Sequence, residues 1–556
     1  MIRRFLFACI IALAFTLILN ARSLQELSAG QLSVAYLNDH AVDEQFYFST
    51  IAKVGQGAPA FGHSSYFEHH DDVSAVSLAP VTEGLLMRLL HLPLAQTLLL
   101  SDLLFPFLAI LILTFGLTYV FKKSLLPAGA VAVIVGSDIG TYWFRSSNPQ
   151  LPFVGAAAWF ATTLAMPLQS TTALVLRATI AGTLSWFHLV YASFFIIADG
   201  VLLLSGYLEQ RSLRQLVKNS LLYLVVLGIL IAPRLLMNVP AEVAEDTLAR
   251  IGVIHTRIPA GPKMQLLILG LMAIMLILHW KRRAWPKEAL WKCFLLLIAS
   301  LLALNQSLIH GRDALFVSYY NGVLRMVMLL SILILFVQIT KNALWSRIAV
   351  GVCAVVSIVL LWNAVGLVAR ESRANADRYE ESDIPKILAW IGEQPGLLVV
   401  AAPSDINARI PYETPHYDLF NAYGWNLPLT DKELAERYAL QVNLVPSTKI
   451  LDRTYTNIFG GYAGLSGSKR RTFCKMKRAL LRTSDPCIVE PRSLIRHQEL
   501  LPMVDDAKID VVDAMKRYHV SLIVTEEGEQ LPLVIKNACS KATTIGMYTT
   551  WSCSEL

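Results

Sequence analysis

Long apolar runs, separated by short segments that hold the basic residues, fill roughly the first 370 positions of the sequence. Several runs have about 17–22 residues, which is the length that an α-helix needs to cross the hydrocarbon core of a bilayer. Only 16% of all residues are charged, whereas soluble domains average about 25%. The sequence therefore predicts a polytopic α-helical membrane protein and excludes a purely soluble enzyme and a disordered chain.

About eleven transmembrane helices are predicted from these runs. They cover roughly residues 5–19, 96–120, 125–142, 152–168, 171–187, 189–207, 217–237, 263–280, 289–308, 319–339 and 346–368. The stretch 152–207 holds either one or three of them. Because the total is odd in both cases, the two ends of the chain are expected on opposite sides of the membrane.

The net charge of +7 indicates how the chain is oriented in the membrane and does not indicate a nucleic-acid partner. Residues 1–370 carry a net charge of +9 and residues 371–556 a net charge of −2. The surplus lies between apolar runs, for example at Lys122-Lys123 and at Arg211/Arg214, and cytoplasmic loops are enriched in such residues. We therefore expect a cytoplasmic N-terminus, a periplasmic or extracellular C-terminus, and a location in a plasma membrane such as the bacterial inner membrane.

Two domains are predicted. Residues 1–370 form a transmembrane domain with a long first outside loop at 20–95, a medium outside loop at 238–262 and shorter outside turns, one of them at 310–313. Residues 371–556 form a soluble extracytoplasmic domain. Helical and strand patterns alternate in the second domain, which indicates an α/β or α+β fold. The helical patterns are at 384–391 and 511–518, and the strand patterns are at 397–402 and 520–524.

Four of the seven cysteines lie in the predicted soluble domain, at Cys474, Cys487, Cys539 and Cys553. An even number at close spacing is typical of two disulfides in an oxidising compartment. Pairing 474–487 and 539–553 is one of three connectivities, among which the sequence does not choose. Zinc binding is the alternative, but the chain has no CxxC pair.

The first outside loop holds acidic residues close to apolar helices, namely Asp39, Asp43 and Glu44. Carboxylates near a low-dielectric boundary tend to have raised pKa values and to be better bases. Asp43 and Glu44 begin a predicted helix at 43–54, and negative charge is also favourable in the first turn of any helix. The pair is therefore either catalytic or a helix cap.

The acidic pair followed by aromatics, Asp43-Glu44-Gln45-Phe46-Tyr47, resembles the hallmark of the GT-C superfamily of membrane glycosyltransferases, which use lipid-phosphate-linked sugars. The resemblance extends in architecture over residues 1–370, with an amphipathic segment at 82–92 after the motif. It implies that Asp43 is the general base for the acceptor hydroxyl and that Asp39 is the reserve candidate. It also implies that Glu44 orients Asp43, binds a sugar hydroxyl or contacts a metal.

No cofactor is firmly implied. Many members of the superfamily need no metal and this loop contains no DxD motif, so a divalent metal is an open option. A departing polyprenyl phosphate requires positive charge or hydrogen-bond donors. The outward basic candidates are Arg312, Arg145, Arg257 and His310, each of which is alternatively an interfacial residue that reaches toward water.

Ionisable residues also fall within or near predicted spans, at Asp102, Arg177 and Asp199. Such residues are costly in lipid and often functional. Arg177 and Asp199 are predicted nearer the cytoplasmic half, away from the acidic loop, and a structural pairing with each other is the alternative to a functional role.

The leading prediction is a membrane glycosyltransferase that transfers a sugar from a polyprenyl-phosphate donor to an extracytoplasmic glycan, lipid or protein, with inversion. The alternatives are a transporter or flippase of lipid-linked sugars and a non-catalytic envelope assembly protein. The chain contains no GxxxxGK[ST], HExxH or GxSxG motif, which weakens ATP-driven transport, metalloprotease and serine-hydrolase interpretations. Membrane lipids are expected partners and nucleic acid is not.

Overall fold

The computed structural model describes the chain with gaps. The described residues are 1–37, 41–60, 62–72, 77–121, 125–138, 150–237, 240–250, 254–255, 262–282, 287–310, 312–313, 316–339, 348, 351–352, 354–363, 365–366, 379–421, 428–447 and 510–553.

Helices account for most of the described part of residues 1–366. In chain order they are α1 (Ile2–Leu19), α2 (Ala21–Ser28), α3 (Val34–Leu37), α4 (Ala41–Gly55), α5 (Leu78–Leu90), α6 (Leu94–Val120), α7 (Leu126–Asp138), α8 (Gln150–Ala165), α9 (Thr171–Phe187), α10 (Leu189–Gln210), α11 (Leu213–Leu235), α12 (Ala241–Arg250), α13 (Pro262–Arg282), α14 (Lys287–Leu304), α15 (Gln306–His310), α16 (Phe316–Ile339) and α17 (Ala354–Asn363). Each predicted apolar segment contains one of these helices.

Among the described residues, four helices are long and apolar enough to cross a membrane by length and composition. They are Ile2–Leu19, Leu94–Val120, Leu189–Glu209 and Leu213–Arg234. The outward face of α11 is apolar, with Leu221, Leu224 and Ile229 all exposed. An exposed apolar face of this kind suits contact with lipid tails rather than with water. The chain therefore has the character of a helical membrane protein.

Small and aromatic side chains fill the core of the helical bundle. A Cβ at Gly116 of α6 would lie only 2.5 Å from the Ala161 Cβ of α8, so the two helix backbones approach closely. The rings of Trp159 and Phe195 stand 4.7 Å apart between α8 and α10. Close packing of small residues is how helices associate where apolar lipid offers no hydrophobic driving force.

Two polar pairs lie inside the bundle. Arg177 Nε is 2.7 Å from Asp199 Oδ1, and Trp159 Nε1 donates to Asp199 Oδ2 at 3.1 Å. Of the alternatives that the sequence leaves open for Arg177 and Asp199, the structure thus shows the pairing. Asp102 instead accepts a hydrogen bond from the Gln150 side chain. The first pair compensates buried charge, and the second gives a buried carboxyl group a hydrogen-bond donor.

Several helix ends meet at one end of the bundle, which we call the docking end. It contains the C-terminal ends of α1, α9 and α11 and the N-terminal part of α6. Three hydrogen bonds link them and the first loop: Asn20 Nδ2 to Asp102 O at 2.9 Å, Trp186 Nε1 to Leu230 O at 2.8 Å, and Ser77 Oγ to Phe187 O at 2.5 Å.

A five-stranded mixed sheet forms the centre of residues 379–553, which we call the C-terminal unit. Its strands are β3 (Val399–Ala401), β4 (Tyr417–Asp418), β5 (Val520–Glu526), β6 (Ser540–Ile545) and β7 (Tyr548–Ser552), in the order β4-β3-β5-β7-β6. Strand β3 is parallel to β4 and to β5, whereas β7 is antiparallel to β5 and to β6. The mixture of parallel and antiparallel strands agrees with the predicted α/β or α+β class.

The helices of the C-terminal unit are α18 (Ile384–Gly392), α19 (Ser404–Asn407), α20 (Ile410–Glu413), α21 (Asp431–Leu444), α22 (Val511–Arg517) and α23 (Leu533–Ala538). The predicted helices at 384–391 and 511–518 and the strands at 397–402 and 520–524 are all present. Cys539 and Cys553 form a disulfide, as in one of the predicted pairings. Cys474 and Cys487 lie outside the described residues.

Candidate functional site

Helix α4 places the acidic pair of the first loop. Asp43 and Glu44 belong to its first turn, as the sequence predicts, and only their backbone is among what the structure describes. Asp39 lies outside the described residues. The position of the pair therefore follows from the packing of the rest of α4.

The middle of α4 is buried against two partners at the docking end. Phe48, Ile51 and Ala52 are fully buried and pack with Leu94 and other residues at the start of α6. From the C-terminal unit, the Tyr412 ring of α20 meets the Phe48 ring edge-on at 5.6 Å. Edge-to-face aromatic pairs add about 0.5–1.5 kcal/mol beyond their buried area. The acidic helix is thus held by the bundle and by the C-terminal unit together.

Helix α5 lies directly against α4. A Cβ at Gly84 would come within 2.8 Å of the Ile51 carbonyl oxygen, so the two helices touch through backbone and only glycine fits there. The amphipathic segment predicted at 82–92 begins earlier, at Leu78, because the Ser77 hydroxyl accepts a hydrogen bond from Ala79 N and caps the helix. Glu83 of α5 is fully buried.

Lys53, near the end of α4, anchors this helix in the C-terminal unit. Its Nζ donates to three consecutive carbonyl oxygens, of Thr414 at 3.5 Å, Pro415 at 2.7 Å and His416 at 2.5 Å. It also lies 4.3 Å from the centre of the Tyr417 ring, and the residue is 3% exposed. Burial lowers the pKa of Lys53 to about 7, and the carboxyl group of Asp418 acts in the opposite direction.

The following part of the first loop, residues 62–72, packs into the core of the C-terminal unit. Tyr66 is fully buried there, and its hydroxyl accepts a hydrogen bond from Asn421 N at 3.2 Å. The Phe67 ring contacts the rings of Tyr417 and His519 edge-on. The first loop therefore contributes side chains to a core that the sequence assigns to a separate domain.

A buried ionic cluster joins the same two segments. Arg437 of α21, fully buried, donates to Glu68 Oε2 at 2.8 Å and to Glu433 Oε1 at 2.9 Å. His69 Nε2 lies 2.8 Å from Glu433 Oε1, and its Nδ1 lies 2.5 Å from Asp72 Oδ2. Two carboxylates thus compensate one buried guanidinium, as buried charge requires.

The pKa values of this cluster follow from its contacts. The hydrogen bond to Glu433 raises the pKa of His69 above its ordinary value. Burial alone would raise the pKa of Glu433, but the hydrogen bond from His69 and the charge of Arg437 outweigh it and lower that pKa to about 2. Both shifts favour the charged forms, an imidazolium beside a carboxylate.

Two further titratable groups lie near the cluster. The backbone N–H groups of Ser65 and Tyr66 both donate to Nδ1 of His63, and burial lowers the pKa of His63 to about 3, so the ring is neutral. Burial also raises the pKa of Asp418, on β4, well above its ordinary value. These groups are structural neighbours of the cluster rather than additional ion pairs.

The predicted phosphate-binding residues are placed only in part. A short antiparallel ladder between β1 (Ile254–His255) and β2 (Arg312–Asp313) pairs Arg312 with His255. His310 ends α15, and its side chain, like that of Arg312, is not described. Arg257 and Arg145 lie outside the described residues. The ladder thus brings two of the predicted outside loops together through their backbones.

The 238–262 loop also reaches the C-terminal unit. Asp246 Oδ2 of α12 accepts a hydrogen bond from Asp431 N at the start of α21, at 2.8 Å. The first loop, 20–95, and the 238–262 segment therefore each contact the C-terminal unit. Within the described ranges, no group of three or more His, Cys, Asp or Glu side chains is arranged to hold a metal ion.

Sequence reasoning missed the contacts that Lys53, Glu68 and His69 make. Lys53 is the one charged residue in the second half of the 43–54 helix, and it was a usable signal, because a long cationic side chain that is buried needs a polar partner. The partners themselves, such as Arg437, are several hundred positions away.

No protein-family model matches this chain, and no curated protein matches it. The interpretation of the site therefore depends on the residues and geometry described above.

Proposed function

We propose that this chain is an integral-membrane glycosyltransferase that moves a sugar from a polyprenyl-phosphate donor to an extracytoplasmic acceptor, with inversion at the anomeric carbon. The observation that carries the proposal is the position of Asp43 and Glu44. They form the first turn of a helix that is buried between the docking end of the bundle and the C-terminal unit. This arrangement supports the resemblance to the GT-C superfamily.

The proposed topology has eleven transmembrane helices, α1, α6 to α11, α13, α14, α16 and α17, with the docking end facing the periplasm or cell exterior. The contacts of the first loop and of the 238–262 segment with the C-terminal unit support it, because segments on opposite faces of a membrane could not touch. A disulfide in the C-terminal unit is compatible with an oxidising compartment.

In the proposed reaction, the Asp43 carboxylate accepts the proton of the acceptor hydroxyl as that oxygen bonds to the anomeric carbon. The bond from this carbon to the phosphate oxygen breaks, and its electron pair leaves with the polyprenyl phosphate. A positioned general base is worth about 10²–10⁴-fold in rate. Glu44 orients the base, with Asp39 in reserve, and basic groups from the set Arg312, Arg145, Arg257 and His310 bind the leaving phosphate.

The test is transfer of radiolabel from a panel of polyprenyl-phosphate hexoses and pentoses into lipid, glycan and protein fractions, using the full chain in proteoliposomes. Asp43→Asn should reduce transfer at least about 100-fold, since an amide accepts no proton at neutral pH. Asp71→Asn is the matched control, because that carboxylate is in the same loop and its side chain is 73% exposed; it should leave transfer unchanged.

Retention of full activity by Asp43→Asn, and also by Asp39→Asn, would refute the mechanism. The flippase alternative makes a different prediction. In that case, wild-type protein would move the labelled lipid between leaflets without forming a new glycosidic bond. A cysteine-reactive probe that labels the C-terminal unit only from the cytoplasm would refute the proposed orientation.

A further inference from the structure

Lys53 lies on the same helix as the proposed catalytic pair, and its partners lie on a different part of the chain. Between Asp43 and Lys53 there are nearly three turns of α4, so the helix transmits any displacement of one end to the other. The carbonyls of Thr414, Pro415 and His416 are more than 360 positions away in sequence. The contact therefore couples the acidic helix to the C-terminal unit.

The geometry suits an ammonium group. A protonated lysine amine has three N–H donors and no acceptor, and here it meets three consecutive carbonyl oxygens and the face of Tyr417. The titratable groups that face it from the C-terminal unit are Asp418, His416 and Tyr417. Because Lys53 reaches these carbonyl oxygens, it fixes the position of α4 along its axis.

We infer that Lys53 is a positioning residue that makes the C-terminal unit part of the catalytic assembly, by holding α4 so that Asp43 stands at its working position. This inference rests on the proposed glycosyltransferase function. Lys53 touches no reacting atom, so it acts through the helix. Because Phe48 and Ile51 also hold α4 from the bundle, loss of Lys53 should displace the helix rather than unfold it.

The experiment compares wild type with Lys53→Met, which keeps the length and loses the charge, in the proteoliposome transfer assay. A displacement of about 1 Å at a reacting group can reduce the rate by about 100-fold. We expect kcat to fall by about 10- to 100-fold with KM within about twofold, because the binding surfaces stay in place. Lys53→Arg, which keeps the charge, should recover part of kcat.

Hydrogen exchange of the same proteins gives a readout that does not need activity. In Lys53→Met, exchange should rise in residues 41–55 and stay unchanged in α21. Lys386→Met is the matched control, since that lysine is in the C-terminal unit with its side chain 70% exposed; it should change neither kcat nor exchange. Lys53→Gln, which keeps a donor, replaces the methionine variant if the latter does not fold.

The outcomes separate the two proposals. An unchanged kcat of Lys53→Met overturns the positioning role, whether hydrogen exchange in 41–55 becomes faster or stays the same. If wild type transfers no sugar while Lys53→Met still raises exchange in 41–55, the proposed function fails and the coupling of α4 to the C-terminal unit stands. A fall in kcat that Lys386→Met reproduces also overturns the assignment.

Discussion

Replacement of Arg437 tests whether the buried ionic cluster holds the first loop on the C-terminal unit. Arg437→Met keeps most of the side-chain volume and leaves Glu68 and Glu433 without their shared cation. Removal of one partner from a buried ion pair costs about 3–5 kcal/mol. The two glutamates retain 17% and 22% side-chain exposure and can regain some water, so we place the loss near the lower limit, about 3 kcal/mol.

Thermal unfolding of the full chain in detergent micelles measures this loss. For a unit of 150–250 residues, 1 kcal/mol corresponds to about 2–4 °C, so Tm should fall by roughly 6–12 °C. Arg517→Met is the matched control, because Arg517 pairs with Glu436 at 3.1 Å and is 62% exposed. Exposed pairs contribute about 0–1 kcal/mol, which predicts a shift of at most about 4 °C.

A second variant isolates the charge effect. Combining Arg437→Met with Glu68→Gln and Glu433→Gln removes the uncompensated carboxylates, so part of the lost stability should return. Equal small shifts for Arg437→Met and Arg517→Met would refute the reasoning, as would a triple variant less stable than Arg437→Met alone.

Two further predictions concern the same region. The pKa of His69 is raised and that of Glu433 is lowered, so His69 stabilises the fold below about pH 6.5 and Glu433 stabilises it above about pH 4.5. His69→Gln should therefore lower Tm more at pH 6 than at pH 9. Equal losses of Tm at the two pH values would contradict the His69–Glu433 ion pair. Replacing Cys539 and Cys553 by serine opens a loop of 14 residues. The loss should destabilise the C-terminal unit by about 3 kcal/mol, as measured by thermal unfolding. A structural disulfide would be contradicted if neither the double substitution nor dithiothreitol changed Tm.

The sequence predicts the helices closely because the signal for each one is local. The run at 171–187 has the same bounds as α9, and 384–391 differs from α18 by one residue. The segment predicted at 82–92 starts four residues too late. The capping Ser77 and the proline in the first turn start the helix before the amphipathic pattern begins. Apolar periodicity places helices well and their ends less well.

The tertiary contacts of the site could not be predicted from the sequence. Lys53 and His416, or Glu68 and Arg437, are joined by the folded chain and by nothing in their local sequence. A charged residue in an apolar helix indicates that a partner exists but not where it is. The acidic pair at 43–44 was correctly placed at the start of a helix, whereas the division at Arg370 concealed that the first loop completes the core of the C-terminal unit.

The burial of Tyr66 in that core has a consequence for biogenesis. In the sequence, 355 positions separate Tyr66 from Asn421. Because these partners are made last, Tyr66 and Phe67 stay unpaired until the C-terminal unit has been synthesised, so this core closes late. For the same reason, an excised fragment from 371 onward would expose the surface that Tyr66 covers, and it should aggregate unless a peptide of residues 62–72 is supplied.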